Sequence, residues 1–240
     1  MKIGLFGDSY IDLIWHRHPE HNPDPQDVPW SGRLLKELGS PVISSGLGGS
    51  SQFYAINTWL DTPKDMDVAV FTFTWHERMF SELENFQEIL SSHAERRRPK
   101  IEEANTDDIL TGMDLYYRYL RSLKQEMFNY TQQVRYCLEL PEAYPDIKFI
   151  FLPNTEIARD IAQTHFASTR RGVLVDFAFE TLSNREPGAP GPMPIWCGRY
   201  GHLGNRNHDL VKDMVKNIII NYDKYQNQVY NIDYKDFDTI

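Results

Sequence analysis

A chain of 240 residues is long enough for one sizeable core and suits a single α/β domain, and its 41% hydrophobic and 25% charged residues are ordinary for a soluble globular protein. A formal net charge of −9 argues against a non-specific binder of nucleic acid or of an anionic membrane, because phosphate-rich surfaces repel such a field. No stretch approaches the roughly 18 apolar residues of a membrane helix, and the apolar run in MKIGLFGDSY is too short for a secretion signal. The expectation is a cytoplasmic protein or a component of a larger assembly, without a membrane partner.

Taken in chain order, KIGLF (2–6) is a short apolar run that stops at Gly7, the pattern of a buried parallel strand entering a tight turn. Residues 31–39 put Leu34, Leu35 and Leu38 on one helical face and end on Gly39, a natural helix-exit residue. PVISS (41–45) is the next strand candidate and opens into the small-residue loop GLGGSS (46–51). DVAVFTFT (67–74) is the strongest strand, and IKFIFL (147–152) and VLVDFAF (173–179) are two more, Asp176 interrupting the last.

Between the third and fourth of these strands, residues 78–97 and 114–138 carry apolar and aromatic residues at helical spacing: Leu115, Tyr119, Leu123, Met127, Tyr130 and Val134. Such a face belongs to the core or to a subunit contact. ERRRPK (95–100) reads as a solvated charge cluster leaving a helix, and EPGAPGPMP (186–194) as a loop leading to a last helix at 206–221. The tail after 222 is polar and aromatic, without a clear period.

Strands alternating with helices imply a three-layer α/β/α sandwich around a mostly parallel sheet, in which reactive groups gather at the carboxyl ends of the strands. Gly7-Asp8-Ser9, Gly46 to Ser51, Thr74 to Glu77 and Asn154 all follow predicted strands, so they are expected at one edge. Ser9 stands where a sharp turn exposes a hydroxyl. That hydroxyl attacks a carbonyl only if a base takes its proton and something stabilises the oxyanion. The plainer role for Ser9 is a helix N-cap.

GLGGSS offers backbone N–H groups free of obstructing side chains, as an oxyanion hole requires. It fits neither nucleotide fingerprint, and no cofactor is expected. His202, in GHLGNRNHDLV just before the last helix, is the candidate general base.

With these residues in view, the sequence resembles the SGNH/GDSL hydrolase family over most of its length, apart from a helical insertion at about 78–140. FGDSY (6–10) is similar to the first family block, whose nucleophile falls on Ser9. WSGRLLKELG (30–39) with VISSGLGGSS (42–51) resembles the second block, whose oxyanion glycine falls on Gly49. HLGNRNH (202–208) resembles the last block, whose catalytic histidine falls on His202, with His208 inside the following helix.

The resemblance implies a flavodoxin-like sheet of about five strands in one domain spanning 1–240. It also implies a serine esterase acting on small acyl groups, such as acetyl esters on a carbohydrate. Two positions depart from the pattern. Thr74-Trp75-His76-Glu77 lacks the third-block asparagine, leaving Thr74 or His76 as substitute oxyanion donors beside the N–H groups of Ser9 and Gly49. Thr74 with Arg78 also fits a Thr-x-x-x-Arg shape. Arg199 stands where the triad acid normally lies, leaving a backbone carbonyl or Asp176, Glu180 or Glu77 to orient the histidine.

A missing acid is compatible with a weak enzyme, or with an SGNH-fold protein that binds a glycan or serves in an assembly, the insertion providing a lid, an oligomer contact or an attachment. His16, His18 and His21 in WHRHPEH have the composition of a metal tract, but Pro19 and the polar flanks suit a surface loop, so no metal site is expected. Trp15, Trp30 and Trp75 fall near the predicted site loops, either packed or stacking on a sugar. Cys137 and Cys197 fit no metal or redox spacing.

Overall fold

The computed structural model describes residues 1–8, 10, 11, 13, 29–44, 46, 47, 50–74, 76, 115, 119, 120, 122–178, 205–232 and 237. Five strands form one sheet: β1 (Ile3–Phe6), β2 (Val68–Phe73), β3 (Lys148–Pro153), β4 (Val173–Asp176) and β5 (Gln228–Asn231). Each is parallel to the next, in sequence order. A single bridge between Ile3 and Val42 adds the 41–44 segment in parallel on the far side of β1. The winding of the sheet therefore reverses at β1, and in open α/β sheets the crevice at such a reversal is where ligands bind.

Helices cover both faces, as period-two alternation along each strand demands. One face buries Ile3, Leu5, Val68, Val70, Ile150, Leu152, Val173 and Val175. Over it lie α1 (Trp30–Glu37) and α5 (Asn205–Ile220). The apolar residues of α5, Val211, Met214, Val215, Ile218 and Ile219, recur at three and four positions, and that stripe alone fixes which side it buries. Partly exposed ion pairs, Arg33 with Asp209 at 2.9 Å and Lys212 with Glu37 at 3.1 Å, run along the same seam. Such pairs contribute about 0–1 kcal/mol each, so the apolar stripe dominates.

The opposite face is aromatic. Phe6 stacks on its register partner Phe71 at 4.9 Å, Phe73 on Phe151 at 5.7 Å, and Trp59 closes edge-on against Phe6 at 5.2 Å. This layer is covered by α2 (Gln52–Asp61), α3 (Leu123–Ala143) and α4 (Glu156–Thr169). A one-turn α6 (Tyr222–Tyr225) leads into β5.

Most expected elements are present, with shifts that have causes. The 31–39 helix occupies Trp30–Glu37, and Gly39 follows it with φ 61° as the left-handed exit residue. Its closing bonds, Ser40 N–H to Leu35 O and Gly39 N–H to Lys36 O, satisfy two orphan carbonyls. Of the expected 41–45 strand, residues 41–44 carry the bridge at Val42, and the 173–179 strand ends at Asp176. The expected last helix, 206–221, runs Asn205–Ile220.

The last part of the expected insertion is α3, which crosses from β2 to β3 and buries Tyr130, Val134, Cys137 and Leu138. It is therefore a wall of the fold. Leu115, Tyr119 and Leu123, expected on the same face, are exposed, so the buried stripe begins only at Tyr130. Residues 77–114 lie outside the described residues.

The tail after 222 contains β5, which the sequence did not announce. As the last strand of the sheet it leaves Gln228 and Asn231 exposed and needs only Val229 and Tyr230 for the two cores. Among the described residues no helix is long and apolar enough to cross a membrane.

Candidate functional site

The carboxyl ends of β1, β2 and β3 meet around one buried carboxylate. Asp8 leaves β1 after Gly7 and is fully buried. Its Oδ2 accepts from the Thr74 hydroxyl at 2.8 Å, beyond the end of β2. Its Oδ1 accepts from Asn154 Nδ2 at 2.8 Å, beyond the end of β3, and from the N–H of Tyr10 at 3.2 Å. A buried carboxylate without such donors is costly by several kcal/mol, so these contacts explain how the position tolerates Asp.

The Asp8–Tyr10 bond is an Asx turn, and the Ile11 N–H returns to the Asp8 carbonyl at 3.1 Å. Residue 9 falls in the chain between these two anchors.

The glycine loop lies on the same turn. The Leu47 N–H donates to Gly7 O at 3.0 Å, and Ser50 Oγ donates to the same carbonyl at 3.1 Å. A Cβ on Gly46 would stand 2.5 Å from the Asp8 carbonyl oxygen and 2.9 Å from that of Gly7. A Cβ on Gly7 would stand 1.8 Å from Thr72 Oγ1. Both glycines are required by close approach of backbone to its neighbours. Two helices begin at this edge, α2 capped by Ser51 Oγ on Tyr54 N–H and α4 by Thr155 Oγ1 on Ala158 N–H. Their amino termini direct partial positive charge towards it.

Thr74 is held from every side. Its N–H donates to Gln52 Oε1 at 3.2 Å, its carbonyl accepts from Tyr130 OH at 2.5 Å, and Ser50 O is a second acceptor for its hydroxyl at 3.3 Å. Gln52 also donates to Cys137 Sγ at 3.6 Å. Burial pushes the Cys137 thiol up to about 12, so this cysteine beneath the site is no nucleophile at neutral pH.

Of the expected site residues, Ser9, Gly49 and His202 lie outside the described residues, as do Glu77, Arg78, Glu180, Arg199, His16, His18, His21, Trp15, Trp75 and Cys197. Thr74 is at the expected edge with its hydroxyl directed to Asp8. His76 is half-exposed, its ring 6.2 Å from that of Tyr130. Trp30 is fully buried, so it is a core residue and no platform for a sugar.

Asp176 accepts from Gln163 of α4 at 2.5 Å. It is thus held on the α4 face, while α5, which follows His202 in the chain, packs on the opposite one. His208 is buried in the first turns of α5, and its Nδ1 accepts the Trp30 N–H at 3.1 Å, satisfying an orphan donor at the start of α1.

Sequence reasoning brought Asn154 to the right edge but gave no role to it, to Asp8 or to Gln52. An Asn directly after an apolar strand, read against the Asp that follows another, was the available signal. Among the described residues no group of three His, Cys, Asp or Glu side chains is arranged to hold a metal. Protein-family models, curated proteins and solved structures give no match to this chain.

Proposed function

We propose that the protein is a serine esterase of the SGNH type, cleaving small acyl esters with Ser9 as nucleophile and His202 as base. The observation that carries this reading is the contact between the Gly7-Asp8 turn and the glycine loop. Gly46, Leu47 and Ser50 lie directly on the two residues that precede Ser9. That contact, at a reversal in sheet winding, brings the first and second family-like segments to one edge, as acyl transfer requires.

In the proposed cycle Ser9 Oγ adds to the acyl carbonyl carbon while His202 takes the hydroxyl proton. The N–H groups of Ser9 and Gly49 stabilise the oxyanion. The carbon–oxygen bond to the alcohol then breaks, His202 returns the proton to the departing alcohol, and an acyl-serine remains. Water attacks the acyl-serine, giving its proton to His202, and the carboxylic acid leaves as Ser9 is reprotonated. Thr74 is left out of the oxyanion hole because its hydroxyl proton is directed to Asp8.

Hydrolysis of p-nitrophenyl acetate by the wild type, Ser9→Ala and His202→Ala tests this. Turnover by the wild type that falls by about 10³-fold or more in each variant is the expected result. Equal turnover in all three overturns it.

A second reading, a binding protein of low turnover, draws on Arg199 and on the engagement of Asp176 by Gln163. It predicts binding of an acetylated glycan by both the wild type and Ser9→Ala, with no hydrolysis.

A further inference from the structure

We infer that Asp8, clamped by Thr74 and Asn154, is the positioning group of this site, fixing the Gly7–Ile11 turn from which Ser9 acts. The inference rests on the esterase reading above and adds three residues that it does not use. Asp8 reaches three separate elements: its own turn through Tyr10 and Ile11, the end of β2 through Thr74, and the end of β3 through Asn154. Strand pairing ends at Phe6 with Phe71 and at Phe73 with Pro153, and just beyond it the Asp8 N–H donates to Thr72 Oγ1 at 3.4 Å and the Asn154 N–H to Phe73 O at 2.8 Å. The carboxylate adds side-chain bonds to those links and so ties its own turn to the ends of both β2 and β3 where strand pairing has ended.

Asn154 is committed to Asp8 at a cost of its own. Its side chain is fully buried, and its Oδ1 has no hydrogen-bond partner among the described residues. A buried acceptor left in that state costs about 1–3 kcal/mol, which the charge-assisted bond to Asp8 offsets. What the asparagine supplies in return is a single N–H to Asp8. Asn154, like Thr74, thus serves the orientation of Asp8.

Thr74→Val and Asn154→Leu keep shape and remove one donor each from Asp8. The test is the rate at which a fluorophosphonate labels Ser9, with kcat and KM for p-nitrophenyl acetate and thermal melting of the same samples. A misplacement approaching 1 Å lowers rates by up to about 10²-fold. Both variants are expected to lose at least about tenfold in labelling rate per folded molecule and in kcat, with KM changed little. Thr74→Ser, which restores the hydroxyl, is expected to recover most of that loss.

Wild-type labelling rates in both variants overturn the inference and leave the esterase reading intact. Losses that merely track the unfolded fraction overturn it equally. Absence of any label on Ser9 in the wild type removes the esterase reading and this inference with it.

Discussion

Replacing Gly46 by alanine separates a site held by backbone contact from one that merely contains a flexible loop. The new methyl group would meet the Asp8 carbonyl oxygen at 2.5 Å and Ile11 Cγ1 at 2.7 Å. Relaxing the first contact to an ordinary separation of 3.4 Å moves the loop and the Gly7-Asp8 turn apart by about 0.9 Å. Overpacking of this kind destabilises by about 1–3 kcal/mol. For a chain of this length that lowers the melting temperature by about 2–12 °C.

The same displacement at a nucleophile costs up to about 10²-fold in rate. Gly39→Ala is the control, because a Cβ there meets nothing within 4 Å while its φ of 61° makes alanine unfavourable by about 1–2 kcal/mol. The two variants are thus expected to melt similarly early, and only Gly46→Ala to label slowly with a fluorophosphonate below its transition. Equal labelling rates in the two variants refute the reasoning.

The histidines of the last family-like segment should divide by role. His208→Ala removes the acceptor of the Trp30 N–H and is expected to cost about 1–3 kcal/mol in urea unfolding with kcat nearly unchanged. His202→Ala is expected to show the reverse, and a larger kcat loss in His208→Ala would mean that the segment is aligned wrongly. Cys137 should resist alkylation in the native protein, since a thiol held at about 12 is only ~10⁻⁴ ionised at pH 8 and is also buried. Peptide-resolved modification by iodoacetamide that reaches Cys137 without denaturant contradicts its placement beneath Gln52.

Much of the sheet was legible because strands buried on both faces are written as continuous apolar runs, as in VAVFTF and KFIFLP. α5 was read at 206–221 as the helix after the Pro/Gly-rich loop and runs Asn205–Ile220. β5 was not, because a strand at the edge of the sheet buries little and QVYN carries no strong alternation. α2 and α4 were missed although Ser51 and Thr155 are ordinary N-caps, since neither helix has a wide apolar stripe.

At the site, the shared edge followed from the position of each loop after a strand. The clamp on Asp8 did not, because Asn154 and Asp8 lie 146 residues apart and only the packed sheet brings them within 2.8 Å.

The most direct test of the account is the mass of the native protein after reaction with a fluorophosphonate, followed by peptide mapping. The account predicts a single adduct on Ser9, absent when the protein is heat-denatured before the probe is added. A native protein that takes no adduct, or takes it on another residue while Ser9 stays unmodified, contradicts it.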